Sequence, residues 1–427
     1  MGKLEPHIPE GPAGRGGTRR TAGRAHRIAA ISTAFLAFAG MSLIAGPVRT
    51  ALAAAPCALA RTGAHHSLGM DTWNTSYPRP ESRLDAALLF LSFPDSRPFS
   101  TPAELVADHF PATSEFFSRA SYGALDLRPR PHGEWIEMPA PSTSYGIERD
   151  WGEERRGAYL RDAIRAADPR VDFSRYDIVY LIADPDAPGV LPDATKVVNF
   201  AEPLRVDGAD LRRVVTLFEQ SPPDRNVLAH ETGHVFDLPD LYERPRDGKG
   251  DWDSRVGDWD MMGSQFGLAP DPFGWHKWKL GWLDERNVEC VPEGPGTTRY
   301  SLRPLGAALD NRAGWARGTR DTRLAVVRTS ETHALAIEAR GRIGNDRDVC
   351  RDGVLLYRVR SDRASTHGPV EVVDGHPATT ACHGTSVHPP LADAPLRVGE
   401  SHTLDGLRVE VTSRASDGAW EIKVTRE

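Results

Sequence analysis

Two histidines four residues apart place the strongest constraint on the fold of this chain. They occur in the stretch VLAHETGHVFDLPDLY, residues 227–242. Residues at this spacing share one face of a helix, so His230 and His234 can direct both imidazoles to one zinc ion. Glu231 lies beside them and can accept a proton from a zinc-activated water. The stretch therefore predicts a metal-binding helix, with Ser221 as its expected N-cap.

A carboxylate follows at the right distance to complete a zinc site. Two histidines alone are a weak signal, because a hydrolytic zinc site needs a third protein ligand and an open position for water. Asp240 lies six residues after His234, where the extended motif HExxHxxGxxH has its last ligand. Met262, in the segment Trp-Asp-Met-Met-Gly, is the candidate for a methionine turn beneath the metal. Together these residues favour a zinc hydrolase over a helix with two ordinary histidines.

The first 55 residues have the composition of a secretory signal peptide. Six basic residues precede residue 28, residues 28–48 carry no charge, and the small-residue site Ala-Leu-Ala follows at 51–53. The alternative is a membrane anchor, since an uncharged stretch of 21 residues could just span a bilayer. The Ala-, Gly- and Ser-rich composition favours cleavage, so we expect a secreted protein without stable membrane association.

The charge balance argues against a nucleic-acid-binding protein. The 427 residues include 52 Lys+Arg and 59 Asp+Glu, which gives a formal net charge of −7. Loss of residues 1–55 would remove seven positive and two negative charges and leave −12. No broad basic excess remains to neutralise phosphates.

All four cysteines follow the predicted cleavage site, which favours disulfides in an oxidising compartment. Three pairings are possible. We favour Cys57 with Cys290 and Cys350 with Cys382. An alternative function for Cys57 is that of an inhibitory ligand on the metal.

The pattern of predicted elements changes near residue 285. Before it, apolar runs at 86–93 and 176–182 predict buried strands, and residues 151–167 predict an amphipathic helix. After it, short strand-like segments alternate with Gly, Pro and Asp. We therefore predict an α/β domain at 56–285 and an all-β, sandwich-like domain at 286–427. Further strands are predicted at 196–200 and 213–218, and then at 324–329, 334–339, 354–359, 370–373, 407–412 and 420–424.

Several separate blocks of the sequence resemble the immune-inhibitor-A-type family of secreted bacterial metallopeptidases. Beyond the zinc motif, the blocks are FFSRASYG at 116–123, VDFSRYD at 171–177 and the run from Val256 to Leu283. They cover roughly residues 85–285, and the β-rich C-terminal part also fits the layout of that family.

The resemblance implies a metzincin-like zinc endopeptidase. It would place the zinc ligands at His230, His234 and Asp240, the general base at Glu231 and the structural methionine at Met262. It also implies protein or peptide substrates, whereas the oligomeric state is left open.

One position departs from the family pattern. Asp237 stands where the motif has glycine, at a sharp exit from the helix. Aspartate is one of the few other residues that tolerate positive φ. Asp237 is therefore also a rival third ligand, but the sequence DLPDLY around Asp240 is closer to the family, so we favour Asp240.

Three further expectations concern the surroundings of the zinc site. An extended substrate could add to an exposed strand edge, for which residues 213–218 are the candidate. His65 and His66 have no partner at ligand spacing and are expected on the surface. Calcium is a second cofactor to consider, because an oxygen-rich loop contains four aspartates, although a solvated acidic loop with local turn hydrogen bonds is favoured. These aspartates are Asp251, Asp253, Asp258 and Asp260.

Two other functions stay open. The chain could be an exported binding or adhesion protein whose peptidase-like domain is structural, although a base at Glu231 would then have no use. It could also be a zinc amidase that acts on cell-wall peptide, which zinc content does not distinguish from a peptidase.

Overall fold

The computed structural model describes residues 55–220, 222–224, 226–245, 249–309 and 320–427. Residues 1–54 of the predicted signal peptide and the expected N-cap Ser221 lie outside these residues. Secretion by this signal therefore stays a prediction.

A five-stranded sheet forms from the apolar runs of the first half of the chain. Its strands are β1 (Arg83–Ser92), β2 (Asp126–Glu137), β3 (Ile178–Ala183), β4 (Lys196–Val206) and β5 (Ala209–Leu217). The order is β2-β1-β3-β5-β4; the first four are parallel, and β4 pairs antiparallel with β5 at one edge. The buried sequence of β3 is apolar throughout, as expected for a parallel strand covered on both faces.

Helices cover both faces of this sheet. They are α1 (Pro102–His109), α2 (Ala112–Ala120), α3 (Ser142–Tyr145), α4 (Glu153–Ala167), α5 (Val227–Val235) and α6 (Gly274–Lys279). Successive side chains of a strand point to opposite faces, so Leu88 and Leu89 of β1 belong to different apolar clusters. The predicted helix at 151–167 is α4, which packs in the cluster of Leu89. The α2 and α5 helices pack in the cluster of Leu88.

Two more sheets form after residue 285. Their strands are β6 (Val288–Cys290), β7 (Gly296–Leu302), β8 (Leu324–Arg328), β9 (His333–Arg340), β10 (Gly353–Arg360), β11 (Val370–Val373), β12 (Ser401–Leu404), β13 (Leu407–Arg414) and β14 (Trp420–Arg426). One sheet has the order β11-β10-β9-β8-β6 and the other β12-β13-β14-β7. All pairs are antiparallel except β6 with β8.

The sheet that contains β9 is covered on both faces. Val327 on this sheet and Val409 and Ile422 on the other share one buried cluster, so the two sheets pack face to face. The opposite face, with Tyr357, belongs to the same cluster as α2 and α5. Residues 54–427 accordingly group as one compact unit. The domain boundary at 285/286 stays a prediction.

Both favoured disulfides are present and confirm the predicted pairing, Cys57–Cys290 and Cys350–Cys382. The alternative role of Cys57 as a metal ligand is wrong, because its sulfur is bonded to Cys290. No helix among the described residues is long and apolar enough to cross a bilayer.

Candidate metal centre

The α5 helix carries the two predicted histidines, His230 and His234. It begins at Val227, after Asn226 in the left-handed conformation with φ 61°. The helix therefore starts later than a cap at Ser221 would require. Eight of its nine residues are buried, which explains why it shows little amphipathic pattern.

His230, His234 and Asp240 converge. The Nε2 atoms of the two histidines lie 3.2 and 3.0 Å from Oδ1 of Asp240. One ligand atom from each residue lies within 4.8 Å of the others. We call these three residues the metal group. No other cluster of His, Cys, Asp or Glu that could hold a metal ion occurs in the described part of the chain. The group contains all three ligands that the sequence predicted.

Backbone carbonyls fix the tautomer of both histidines. Nδ1 of His230 lies 2.9 Å from the carbonyl oxygen of Met261, and Nδ1 of His234 lies 2.8 Å from that of Leu238. A carbonyl oxygen can only accept, so each Nδ1 carries a hydrogen, and in the neutral form of either ring Nε2 presents the lone pair. Metal-binding histidines are commonly held in this way.

The geometry demands a positive charge between the three groups. Two lone pairs and a carboxylate oxygen facing one another repel unless they share a cation or a proton. Burial disfavours protonation of His234, but the Asp240 carboxylate outweighs it and raises the pKa of His234 to about 9. Burial opposes ionisation of Asp240 too, yet His234 and His230 hold its pKa well below the usual value. Imidazole and carboxylate ligands in this number fit zinc.

Asp237, the rival ligand, lies outside the group. Its φ is 65°, so it occupies the left-handed turn at which the motif has glycine. Its carboxylate is fully buried and contacts His66 at 2.9 Å, Arg61 at 2.9 Å and Lys279 at 3.2 Å. Those contacts use its oxygens for an ion cluster, so the structure favours Asp240 as the ligand. The expectation that His66 lies on the surface is wrong, because this cluster buries it.

Glu231 is buried beside the metal group. Desolvation raises the pKa of its carboxyl, although His230 and His234 partly offset the effect. Val197, on the edge strand β4, lines the same cavity as Glu231. The predicted base thus lies between α5, which carries the two histidines, and the edge strand β4.

Met262 lies directly beneath α5. A Cβ atom on Gly233 would come within 2.5 Å of its sulfur, so the helix and the methionine pack in close contact. The backbone N–H of Met262 donates to Oδ1 of Asp260 at 2.7 Å, and the preceding carbonyl of Met261 accepts from His230. The turn therefore supports both the helix and one histidine.

The four aspartates of the neighbouring loop have protein partners for several of their oxygens. Asp260 accepts from Met262, Phe273 and His276, and Asp258 from Leu268, Ser386 and Val387. Asp251 contacts His388 at 2.6 Å. Desolvation and the neighbouring Asp251 and Asp258 raise the pKa of Asp253 to about 6. Asp258 and Asp260 are buried, so the favoured interpretation as a solvated acidic loop is wrong for these two residues. Calcium binding by the loop stays an untested alternative.

A cavity of about 250 Å³ opens beside the metal group. Lys196 and Asn199 of the edge strand β4 line it, together with His65 and Tyr242. A second cavity of about 370 Å³ shares Glu231 and Tyr242 with the first. The predicted strand edge at 213–218 is wrong, because β5 is paired on one side with β3 and on the other with β4. The free edge beside the site is that of β4.

Three residues at the site were missed by the sequence analysis: His65, Tyr242 and Ser365. The ring of Tyr242 lies 6.4 Å from that of His230, and its position two residues after Asp240 was an available signal. Ser365 contacts Asp240 from 125 positions away in the sequence. No local pattern marks it.

Comparisons with known proteins add little to this geometry. No family model matches the chain, and no curated protein matches it. Among solved structures, two crystal structures of wild type OgpA from Akkermansia muciniphila are similar at 9% and 8% identity. They cover 70% and 78% of this chain and 92% and 89% of their own, with TM-scores of 0.26 and 0.27. A likeness at this level carries no argument about fold or function.

Proposed function

We propose that this protein is a secreted zinc-dependent endopeptidase. The observation that carries the proposal is the convergence of His230, His234 and Asp240 beside the buried Glu231. Two imidazole nitrogens and one carboxylate oxygen form the kind of ligand set that hydrolytic zinc sites use, with a position left for water. Resemblance to the immune-inhibitor-A-type family supports a peptidase, and the two disulfides support export.

Zinc, when bound, would supply a Lewis acid that polarises a carbonyl and makes water easier to deprotonate. Glu231 would carry out the proton transfer. Because burial raises its pKa, its carboxylate is a stronger base than an exposed one. It would accept the proton of the attacking water and deliver it to the leaving amine.

The free edge of β4 is the proposed binding surface for the substrate backbone. An extended peptide can add to such an edge through main-chain hydrogen bonds, while pockets receive alternate side chains. Lys196 and Asn199 of β4 line the cavity beside Glu231, so a peptide paired there would pass the metal group. This arrangement favours a peptide chain over a compact small molecule.

The proposal is tested with unfolded casein, with and without a zinc chelator, and with the Glu231→Ala variant. We expect cleavage that the chelator abolishes and that Glu231→Ala lowers by roughly 10²- to 10⁴-fold, while zinc stays bound. Glu134→Ala is the matched control, since Glu134 is exposed on β2 at the opposite edge of the sheet. It should cleave like the unchanged protein.

The outcomes separate the alternatives. Retained hydrolysis by Glu231→Ala would contradict the assignment of the base. A folded, zinc-loaded protein that leaves casein intact but hydrolyses an amide bond of cell-wall peptide would be the amidase. A protein that cleaves neither would be the binding or adhesion protein.

A further inference from the structure

The connection between β10 and β11 reaches the third ligand of the candidate metal centre. The hydroxyl of Ser365 donates to Oδ2 of Asp240 at 2.8 Å, and the backbone N–H of Asp240 donates to that hydroxyl at 2.9 Å. The N–H of Thr366 donates to the carbonyl oxygen of Asp240 at 3.0 Å. Three hydrogen bonds thus connect the β-rich part of the chain to one residue of the turn after α5.

The hydroxyl of Ser365 has one orientation that satisfies these contacts. A serine hydroxyl has a single donor and two acceptor lone pairs. The N–H of Asp240 occupies an acceptor site, so the hydroxyl hydrogen is available to Oδ2. With Oδ2 held in this way, Oδ1 is the oxygen that Asp240 presents to His230 and His234.

The connection itself is anchored at two further points. The N–H of Ser365 donates to the carbonyl of His65 at 3.2 Å, and the N–H of Ser361 donates to that of Thr332 at 2.9 Å. The hydroxyl of Ser67 also donates to the carbonyl of Ser361 at 2.6 Å. Ser365 is therefore placed by the N-terminal segment and by the β9–β10 sheet together.

We infer that Ser365 is a positioning residue of the metal centre, which orients the Asp240 carboxylate for zinc. The inference rests on the proposed function. By this inference the β-rich C-terminal part contributes directly to the site. Asp240 would be oriented as a ligand only when the β10–β11 connection is in place. Hydrogen-bonded partners of metal ligands typically alter metal affinity by 10- to 100-fold when they are removed.

The test measures zinc affinity of the purified protein by competition with a chromophoric chelator. Ser365→Ala should bind zinc roughly 10- to 100-fold more weakly than the unchanged protein. Ser365→Thr, which keeps the hydroxyl, should restore the affinity. Ser386→Ala is the matched control, because the half-buried Ser386 also lies in the C-terminal part but bonds Asp258 instead. It should leave zinc affinity unchanged.

Circular dichroism of the metal-free proteins checks that each variant folds. Should Ser365→Ala not fold, Ser365→Cys, which has similar size but only a weak donor, replaces it with the same expected loss. Equal zinc affinity for Ser365→Ala and the unchanged protein would overturn the inference alone. So would an equal loss in Ser386→Ala, which would indicate general destabilisation. An unchanged protein that binds no zinc would overturn the proposed function and the inference with it.

Discussion

At the residue scale, two aspartates of one turn, Asp237 and Asp240, have different partners and different proposed roles. Asp240 faces the Nε2 atoms of two histidines, whereas Asp237 is surrounded by Arg61, Lys279 and His66. The sequence could name both as candidates because each lies at a ligand-like distance from His234. Only the three-dimensional arrangement separates them, since the partners of Asp237 come from distant parts of the chain.

The first prediction concerns Asp237 and protein stability. Asp237→Ala would leave the buried Lys279 without its counter-charge and His66 without its hydrogen-bond partner, so we expect the free energy of unfolding to fall by about 3 to 5 kcal/mol. Denaturant unfolding with a chelator present measures it, because bound metal then makes no contribution. Asp237→Asn should cost less, since asparagine also tolerates positive φ and keeps one acceptor. An Asp237→Ala protein as stable as the unchanged one would contradict the role of this cluster.

A second prediction at this scale concerns His109. Burial lowers the pKa of His109 to about 4, below the ordinary value of 6.5. Between these values the unfolded chain takes up a proton that the folded protein does not. Stability is therefore complete above pH 6.5 and falls as the pH drops toward 4. From pH 7 to pH 5 the unchanged protein should lose about 2 kcal/mol more than His109→Gln.

Denaturant titrations at both pH values measure this difference. His66, whose pKa burial also lowers to about 4, is present in both proteins, and its contribution cancels. Equal pH dependence of the two proteins would show that His109 is not buried in its neutral form.

At the scale of elements, residue spacing predicted that individual helices and strands form. It did not predict features that depend on neighbouring elements, such as which strand lies at the edge of the sheet. The pair His230 and His234 required α5, and the apolar run at 86–93 required β1. Which strand lies at the edge is a property of the whole sheet, so β5 was mistaken for an edge in place of β4. The start of α5 was missed because Asn226, the residue before the helix, has the left-handed conformation and makes no capping hydrogen bond with its side chain, which its residue type does not predict.

The same substitution at two helical glycines, Gly233 and Gly157, should change protein stability in opposite directions. Gly233 in α5 lies against Met262, where an added Cβ would be 2.5 Å from the sulfur. Gly157 in α4 has only the flexible side chain of Arg161 nearby, at 3.0 Å. Alanine is the better helix former by about 1 kcal/mol, so Gly157→Ala should stabilise the protein by up to that amount. Gly233→Ala should instead destabilise it by about 1 to 3 kcal/mol through overpacking.

Thermal and denaturant unfolding of the metal-free proteins measure both changes. A double variant, Gly233→Ala with Met262→Ala, provides the control, because the space left by the methionine should remove the overpacking. A stabilising Gly233→Ala would contradict the close contact between the helix and the methionine turn.

On the scale of the whole molecule, the metal centre depends on parts of the chain that sequence analysis treated as separate. The pairing Cys57–Cys290 links the N-terminal segment to β6 across 233 residues, and Ser365 reaches Asp240 from the connection after β10. The composition change near residue 285 predicted a second β-rich region. It could not predict that one face of this region joins the core of the first, because burial between distant segments leaves no periodic signal.

This shared core predicts one cooperative unfolding transition. Ile422 lies between the two C-terminal sheets, so Ile422→Ala should lower the free energy of unfolding by about 2 to 5 kcal/mol. Eight of the ten tryptophans precede residue 285, so tryptophan fluorescence reports mainly on the part of the chain before that residue. Because β9 and its neighbours connect the two parts of the chain, the fluorescence midpoint in denaturant should fall together with that of circular dichroism.

Lys423→Ala, on the opposite face of the same strand, is the control and should change the stability by no more than about 0.5 kcal/mol. A fluorescence transition that Ile422→Ala leaves in place would instead indicate two independently folding domains.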